Sequence, residues 1–169
     1  MPDATEKRTL DVLMDSWDRN NAILVGLLRV VPEGGMAVRA GDGSPTVGQM
    51  FNHIHYVRLV FLSEDAPEFA LELPTEEWAT EQDRERLAAM LNQSAAAVAK
   101  AVRSKVEAGT EMKVHYDHPI LMMQHMIWHD GYHHGQIKLA LKLAGLLISD
   151  DAAGPVTWDV WMDKSATGQ

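Results

Sequence analysis

The chain has 169 residues, contains no cysteine and carries a formal net charge of −9 at pH 7. This length predicts a single domain spanning residues 1–169. The lack of cysteine excludes disulfide frameworks, thiolate metal sites and cysteine nucleophiles, so any metal must be held by nitrogen and oxygen atoms. The acidic charge disfavours binding to nucleic acids, because a negative surface repels their phosphate backbones.

The sequence shows no sign of a membrane anchor or a secretion signal. Its longest apolar runs, such as residues 22–28, are far too short to cross a bilayer. The opening residues 1–8 lack the apolar core of a signal peptide. We therefore expect a cytoplasmic protein that does not contact membranes.

The first predicted helix covers about residues 5–31. Apolar side chains recur along it at steps of three and four residues, and Pro32 ends the pattern. Asn20 and Asn21 interrupt the apolar stripe. We interpret both amides as solvated at the edge of the stripe, with a polar site inside the protein as the alternative.

Three further helices are predicted, at about residues 45–64, 76–108 and 119–145. The third is rich in alanine, which lets a neighbouring helix pack closely, and its acidic opening favours a helix start there or near Thr80. Residues 146–169 should form a mostly irregular tail, in which one helical turn is the alternative. The side chains expected to anchor this tail are Val156, Trp158, Val160 and Trp161.

Four long helices without internal repeats predict an all-α four-helix bundle. The connections before the second and third helices are longer than ordinary loops between neighbouring helices. We therefore expect at least one long crossover connection, which leaves neighbouring helices parallel.

Three histidines carry the strongest functional signal. His129 and His133 are four residues apart, so they lie one turn apart on one face of the fourth helix. His53 lies within the second helix. If these helices face each other, the three imidazoles can bind one divalent metal and leave one position open, as in catalytic zinc sites. Three neutral nitrogens suit Zn²⁺, Ni²⁺, Co²⁺, Cu²⁺ or Fe²⁺ rather than Mg²⁺ or Ca²⁺.

The other histidines and polar neighbours receive weaker interpretations. His125 replaces His133 in the triad if the fourth helix is rotated. The histidines that we interpret as bystanders are His55, His115, His118 and His134. Polar side chains that can orient the ligand rings, or simply pack beside them, are Gln49, Tyr56 and Gln136.

Residues 129–133 also resemble the H-E-x-x-H motif of zinc peptidases. The acid is Asp130 here, which is one methylene shorter than Glu, and no suitable third ligand follows it. We therefore disfavour a peptidase and interpret Asp130 as an exposed or structural carboxylate.

Two stretches resemble the DinB/YfiT-like family of metal-dependent four-helix-bundle enzymes. Residues 46–54 are similar to its second-helix pattern of an apolar run leading to histidine, and residues 129–137 to its pattern H-x-x-x-H-[R]-G-Q-[IV]. The first helix, with Trp17, is a weaker third match. The resemblance covers about residues 5–145 and places the family's metal ligands on His53, His129 and His133.

The resemblance implies a metal-dependent enzyme, since relatives include S-transferases that use bacillithiol, mycothiol or glutathione, and a maleylpyruvate isomerase. A bound divalent metal, zinc or nickel, would activate a low-molecular-weight thiol or water against a small-molecule substrate. Relatives are often homodimers. His134 stands where many relatives have Arg, which puts any anion-binding role of that position in doubt. The alternatives are a non-catalytic metal- or ligand-binding bundle, and histidines that serve only structure.

Overall fold

The computed structural model describes residues 4–162. Its four long helices are α1 (Ala4–Val30), α2 (Val47–Asp65), α3 (Arg84–Ala108) and α4 (Pro119–Leu143). Two short helices follow, α5 (Asp150–Ala153) and α6 (Trp158–Met162), and single 3-10 turns lie at Gly35–Ala37, Pro67–Phe69 and Gly154–Val156. The expected all-α bundle is confirmed.

The side-chain pairings fix the direction of α1 against α3. Asp11, early in α1, forms an ion pair with Arg103, late in α3. Arg84 begins α3 and donates a hydrogen bond to the backbone carbonyl of Arg29, near the end of α1. The two helices are therefore antiparallel, and α1 packs chiefly against α3 and α4.

Helices α2 and α3 run in the same direction. Gly48, near the start of α2, lies beside Gln82 just before α3, whereas Glu68 beyond the end of α2 pairs with Lys105 late in α3. Residues 66–83 must therefore return along the length of the bundle before α3 can begin. This is the predicted crossover connection.

Helix α4 runs antiparallel to α2, since His53 meets His129 and the later residue Phe61 meets the earlier residue His125. The long helices thus follow an up-down-down-up order. Apolar side chains from all four meet in the interior, where Trp17 is fully buried and its indole donates to the carbonyl of Ala95. None of the helices in residues 4–162 combines the length and apolarity needed to cross a membrane.

The predicted start of the third helix at residue 76 is wrong, because α3 begins at Arg84. Asp83 supplies the cap by accepting a hydrogen bond from the backbone N–H of Arg86. The acidic residues upstream belong to the crossover. The other predicted ends of the long helices lie within two residues of the observed ones. Thr46 caps α2 in a reciprocal capping box with Gln49. The side-chain oxygen of Gln49 therefore accepts a hydrogen bond from the backbone N–H of Thr46.

The tail after α4 contains helical turns, and α6 confirms the alternative of a turn around its two tryptophans. Val156 packs so closely on Gly26 that a Cβ there would lie 2.7 Å from the Cβ of Val156. Thr157 is buried, whereas Trp158 and Trp161 remain 42% and 48% exposed. The tail therefore packs against the bundle through Val156 and Thr157 more than through the indoles of Trp158 and Trp161.

Candidate metal centre

Helices α2 and α4 bring the imidazoles of His53, His129 and His133 together in the groove between them. The Nε2 atoms of His53 and His129 are 3.2 Å apart. One nitrogen from each of the three rings lies within 4.8 Å of the others. Two nitrogens that bind one zinc ion at ~2.0–2.1 Å with tetrahedral angles are about 3.3 Å apart. The cluster is therefore of the right size to hold a divalent transition metal.

The protonation states also suit a metal. Burial, followed by the nearby His133 and His129 rings, lowers the pKa of His53 to about 4. Burial and His129 likewise lower the pKa of His133 to about 4, although Gln136 and Asp130 oppose the shift. Both rings are therefore neutral at pH 7 and offer a lone pair, which a metal ligand requires.

The far sides of the three rings have unsatisfied nitrogens. The Nδ1 atoms of His53, His129 and His133 are buried without an aligned hydrogen bond. Glu77 Oε1 nevertheless lies 3.0 Å from Nδ1 of His53, an ion-pair distance at which the N–H is not aligned with the oxygen. Asp130 Oδ1 is also unpaired and lies 3.9 Å from Nδ1 of His129, which is too long for a hydrogen bond.

The crossover covers one side of the cluster. The Trp78 indole stacks on the ring of His53 with centroids 4.0 Å apart and planes inclined by 3°. Its position is fixed by Gln49, whose amide donates to the backbone carbonyl of Trp78. Sequence reasoning placed Trp78 and Glu77 in a helix and missed their role beside the cluster. The expected crossover connection could have suggested this role, because a segment that runs back along the bundle passes over the helices that carry the histidines.

A buried polar network lies directly behind the cluster. Asp130 Oδ2 accepts hydrogen bonds from Arg58 Nη2 at 2.6 Å and Asn20 Nδ2 at 2.7 Å. Arg58 Nη1 donates to Asn21 Oδ1 at 2.9 Å and to the carbonyl of Leu91 at 3.1 Å. Arg58 and Asp130 are both fully buried.

This network corrects two expectations. The interpretation of Asn20 and Asn21 as solvated amides is wrong, because both are buried in the network, and the alternative of an internal polar site holds. Asp130 is a buried structural carboxylate rather than an exposed one. Sequence reasoning also missed Arg58, although a cation amid the apolar residues of α2 was a usable signal.

The alternative ligand His125 lies outside the cluster. Its Nδ1 is 2.7 Å from the Tyr116 hydroxyl, and its ring packs on Phe61. His134 is also outside the cluster, with Nε2 buried and lacking a hydrogen-bond partner.

Each of the other histidines has a separate setting. His55 is buried, and burial lowers its pKa although the Met90 backbone opposes the shift. His115 pairs with Asp65, and His118 caps α4. Within the described residues, the group suited to a metal contains only the three predicted histidines.

The sequence model of the DinB family matches residues 1–149. This range includes all four long helices and the three clustered histidines, and it ends just before α5. No curated protein and no solved structure matches the chain.

Proposed function

Since the chain belongs to the DinB family, we propose that it is a metal-dependent enzyme acting on a small molecule. His53, His129 and His133 would hold a divalent transition metal, zinc or nickel, and the reaction would be an S-transfer from a low-molecular-weight thiol or a hydrolysis. The observation that carries this proposal is the convergence of three imidazoles from two helices, with the pKa values of the His53 and His133 rings lowered to about 4.

The chemistry follows from the number and type of ligands. When bound, a divalent metal lowers the pKa of a thiol or of water and so makes a nucleophile available near neutral pH. Within the described residues no fourth histidine, aspartate or glutamate joins the cluster, which favours an exchangeable small-molecule ligand. Since the chain has no cysteine, a reacting thiol must come from a small molecule.

The chain's own residues would orient the ligands. Glu77 Oε1 lies 3.0 Å from Nδ1 of His53, so a small rotation of this exposed carboxylate would let it accept a hydrogen bond from Nδ1–H and keep the proton off Nε2. Asp130 needs a shift of less than 1 Å to do the same for His129, since their separation is 3.9 Å. Arg58 and Asn20 hold that carboxylate in place. The stacked Trp78 shields His53 from water.

A small cavity shares Gln136 with the surroundings of the cluster, although none of the three histidines lines it, and we assign it to part of a substrate. It has a volume of about 130 Å³ and is lined by apolar side chains together with Ser44 and Gln136, which also interacts with His133. Such a space suits a small, partly apolar group rather than a large ligand. A larger cavity of about 520 Å³, between Leu10 and Ile120, is lined neither by the three histidines nor by Gln136 and is not assigned to this function.

The test combines metal analysis with turnover. Untagged protein is analysed for bound metals, then loaded with Zn²⁺ or Ni²⁺ and assayed for conjugation of monochlorobimane with a panel of low-molecular-weight thiols and for ester hydrolysis. We expect turnover that disappears in His53→Gln and persists in His125→Gln.

Two results would count against the proposal. Failure to bind either metal would exclude metal-dependent chemistry at this cluster. Tight metal binding without turnover in either assay would favour the second candidate, a non-catalytic metal- or ligand-binding bundle. The closed Trp78 stack over His53 is the observation that favours this candidate.

A further inference from the structure

A cavity separate from the candidate metal centre lies between α1, α4 and the tail that follows α4. Its volume is about 290 Å³, which is at the small end of the range for ligand sites. None of the three clustered histidines lines it. We call it the tail cavity, and its lining includes Asn20, Asp130, His134, Lys138, Trp158 and Trp161.

Two indoles from α6 give the tail cavity an aromatic wall. Trp158 and Trp161 are three residues apart, so they share one side of this short helix. Trp158 packs closely on Gly154, where a Cβ would lie 3.1 Å from its ring. Half-exposed, fixed aromatic surfaces beside a cavity are suited to contacts with another aromatic ring. Both residues follow residue 149, where the family match ends, so this match does not account for the wall.

Lys138 gives the tail cavity a positive charge. Its Nζ lies 5.9 Å from the centroid of the Trp158 ring, and it forms no ion pair with any residue in the range 4–162. The charge of Asp130 is balanced by Arg58, whose Nη2 lies 2.6 Å from the carboxylate. The net charge of −9 on the chain opposes anions at long range, but salt screens this repulsion beyond about 8 Å. The local charge therefore favours an anion.

His134 adds an unused hydrogen-bonding atom to the same lining. Its Nε2 is buried and has no hydrogen-bond partner within the described part of the chain. An unpaired polar atom in a protein interior is costly, so such atoms normally have a partner. His134 and Lys138 are four residues apart and share one face of α4. A small rotation of the imidazole would let both side chains reach one carboxylate group.

We propose that the tail cavity is a second small-molecule site, which binds an aromatic carboxylate. The ring of the ligand would lie against Trp158 and Trp161, with the apolar side chain of Ile23 also in the lining. The carboxylate would accept hydrogen bonds from Lys138 and from Nε2–H of His134. A purely apolar ligand would leave Lys138 without an opposite charge, and a ligand without a ring would leave the indoles uncovered. The site needs no metal.

Fluorine NMR of protein labelled with fluorotryptophan tests the site, because it reports on each of the five tryptophans separately. The probe is phenylacetate, titrated into metal-free protein and again into protein loaded with Zn²⁺. A ligand of about ten non-hydrogen atoms should bind with a dissociation constant on the order of 1 mM or lower. The resonances of Trp158 and Trp161, assigned with single Phe variants, should shift together and saturate. That of Trp128, which is 66% exposed outside the cavity, should not move.

The contribution of the charge is measured with a neutral ligand and a matched pair of variants. Phenylacetamide keeps the ring and loses the negative charge, so it should bind at least ~10-fold more weakly than phenylacetate. Lys138→Met should weaken phenylacetate by at least ~10-fold and leave phenylacetamide unchanged. Lys142→Met is the control, since Lys142 is exposed one turn further along α4 and does not line the cavity. Trp161→Leu should weaken both ligands.

The outcomes separate this proposal from the metal chemistry. Circular dichroism of each variant should equal that of wild type. The absence of a saturable shift up to ~20 mM phenylacetate overturns the site, since binding weaker than that has no specificity. Equal affinity of wild type and Lys138→Met for phenylacetate also overturns it. Shifts that require Zn²⁺ and disappear in His53→Gln would place the carboxylate on the metal and overturn it as well. Failure of metal binding or turnover leaves the tail cavity unaffected, because the site is tested without metal.

Discussion

Glu77 Oε1 lies 3.0 Å from Nδ1 of His53, although the two residues belong to different segments of the bundle. His53 is fixed within α2, whereas Glu77 arrives on the crossover that runs back along the bundle to α3. The crossover thus brings a carboxylate to the outer nitrogen of a candidate metal ligand, in the arrangement that orients histidines in metalloproteins. The connection therefore contributes to the site as well as joining two helices.

Replacement of Glu77 by alanine should weaken metal binding by about 10–100-fold, because the ring of His53 loses the group that fixes its orientation and its protonation. The measurement is a competition titration of Zn²⁺ against a chelating dye. The Glu77 side chain is 46% exposed, so the stability of the metal-free protein should change little.

The neighbouring Glu76 provides the control, since it is also acidic and exposed. Glu76→Ala should leave the affinity unchanged, and Glu77→Gln should keep part of it because an acceptor oxygen remains. Equal affinities for Glu77→Ala and Glu76→Ala would show that the contact to His53 has no influence on the metal.

Each of His53→Gln, His129→Gln and His133→Gln should lose tightly bound metal, since two imidazoles do not replace three. A ligand that binds only the folded state raises its stability. Added Zn²⁺ should therefore raise the melting temperature of wild type and not that of these variants.

His125→Gln and His55→Gln are the controls for the choice of ligands. Both should keep the wild-type metal content and the increase in melting temperature with Zn²⁺, because neither ring belongs to the cluster. Loss of metal from His125→Gln with retention in His133→Gln would show that α4 is rotated relative to the arrangement described here.

The spacing of histidines was enough to predict the cluster, whereas its surroundings needed tertiary structure. A helix imposes one face on residues four apart, so His129 and His133 had to be neighbours. Their proximity to His53 depends on which helices pack together, which the family resemblance supplied. The contacts of Trp78 and Glu77 depend on the path of the crossover, and no local pattern specifies that path.

The start of α3 shows why local signals misplaced a boundary. Acidic residues favour the first turn of a helix, so Glu76 and Glu77 looked like a start. In the fold, Trp78 instead packs on His53, and Asp83 caps the helix later. A tertiary contact thus outweighed a preference worth only a fraction of a kcal/mol.

Replacing one member of the buried ion pair of Arg58 and Asp130 should strongly destabilise the fold. Arg58→Met leaves the carboxylate buried without its cation, which should lower the free energy of unfolding by about 3–5 kcal/mol. The double variant Arg58→Met with Asp130→Leu should be less destabilised than the sum of the two single variants, because no charge remains unpaired. Urea denaturation of the metal-free proteins measures these differences.

The exposed pair of Arg103 and Asp11 is the matched control. Its atoms are 2.8 Å apart, but its side chains are 37% and 52% exposed. Arg103→Met should therefore cost no more than about 1 kcal/mol. If Arg58→Met were equally mild, solvent would have to reach Asp130, and the buried network would be wrong.

Asp65 should make the stability of the fold depend on pH in the acid range. Its fully buried carboxylate accepts hydrogen bonds from the backbone N–H groups of Val114 and His115 and lies 2.8 Å from the His115 ring. Burial alone would raise the pKa of Asp65, but these hydrogen bonds outweigh it and lower the pKa below the ordinary value of 3.8. The carboxylate should therefore stabilise the fold above pH 3.8, and this contribution should decrease as the pH falls through the lowered pKa.

Asp65→Asn keeps the shape of the side chain and removes its charge, so it should cost about 2 kcal/mol at pH 7. The difference from wild type should shrink below about pH 4, where the unfolded wild type binds a proton that the folded state resists. Urea denaturation of metal-free protein at a series of pH values measures this, with exposed Asp42→Asn as the control. Repeating the comparison in the His115→Gln background removes the imidazole that contacts Asp65 and isolates the contribution of the two backbone hydrogen bonds. A difference that stays constant down to pH 3 would contradict the assignment, because an ordinary structural side chain would give that result.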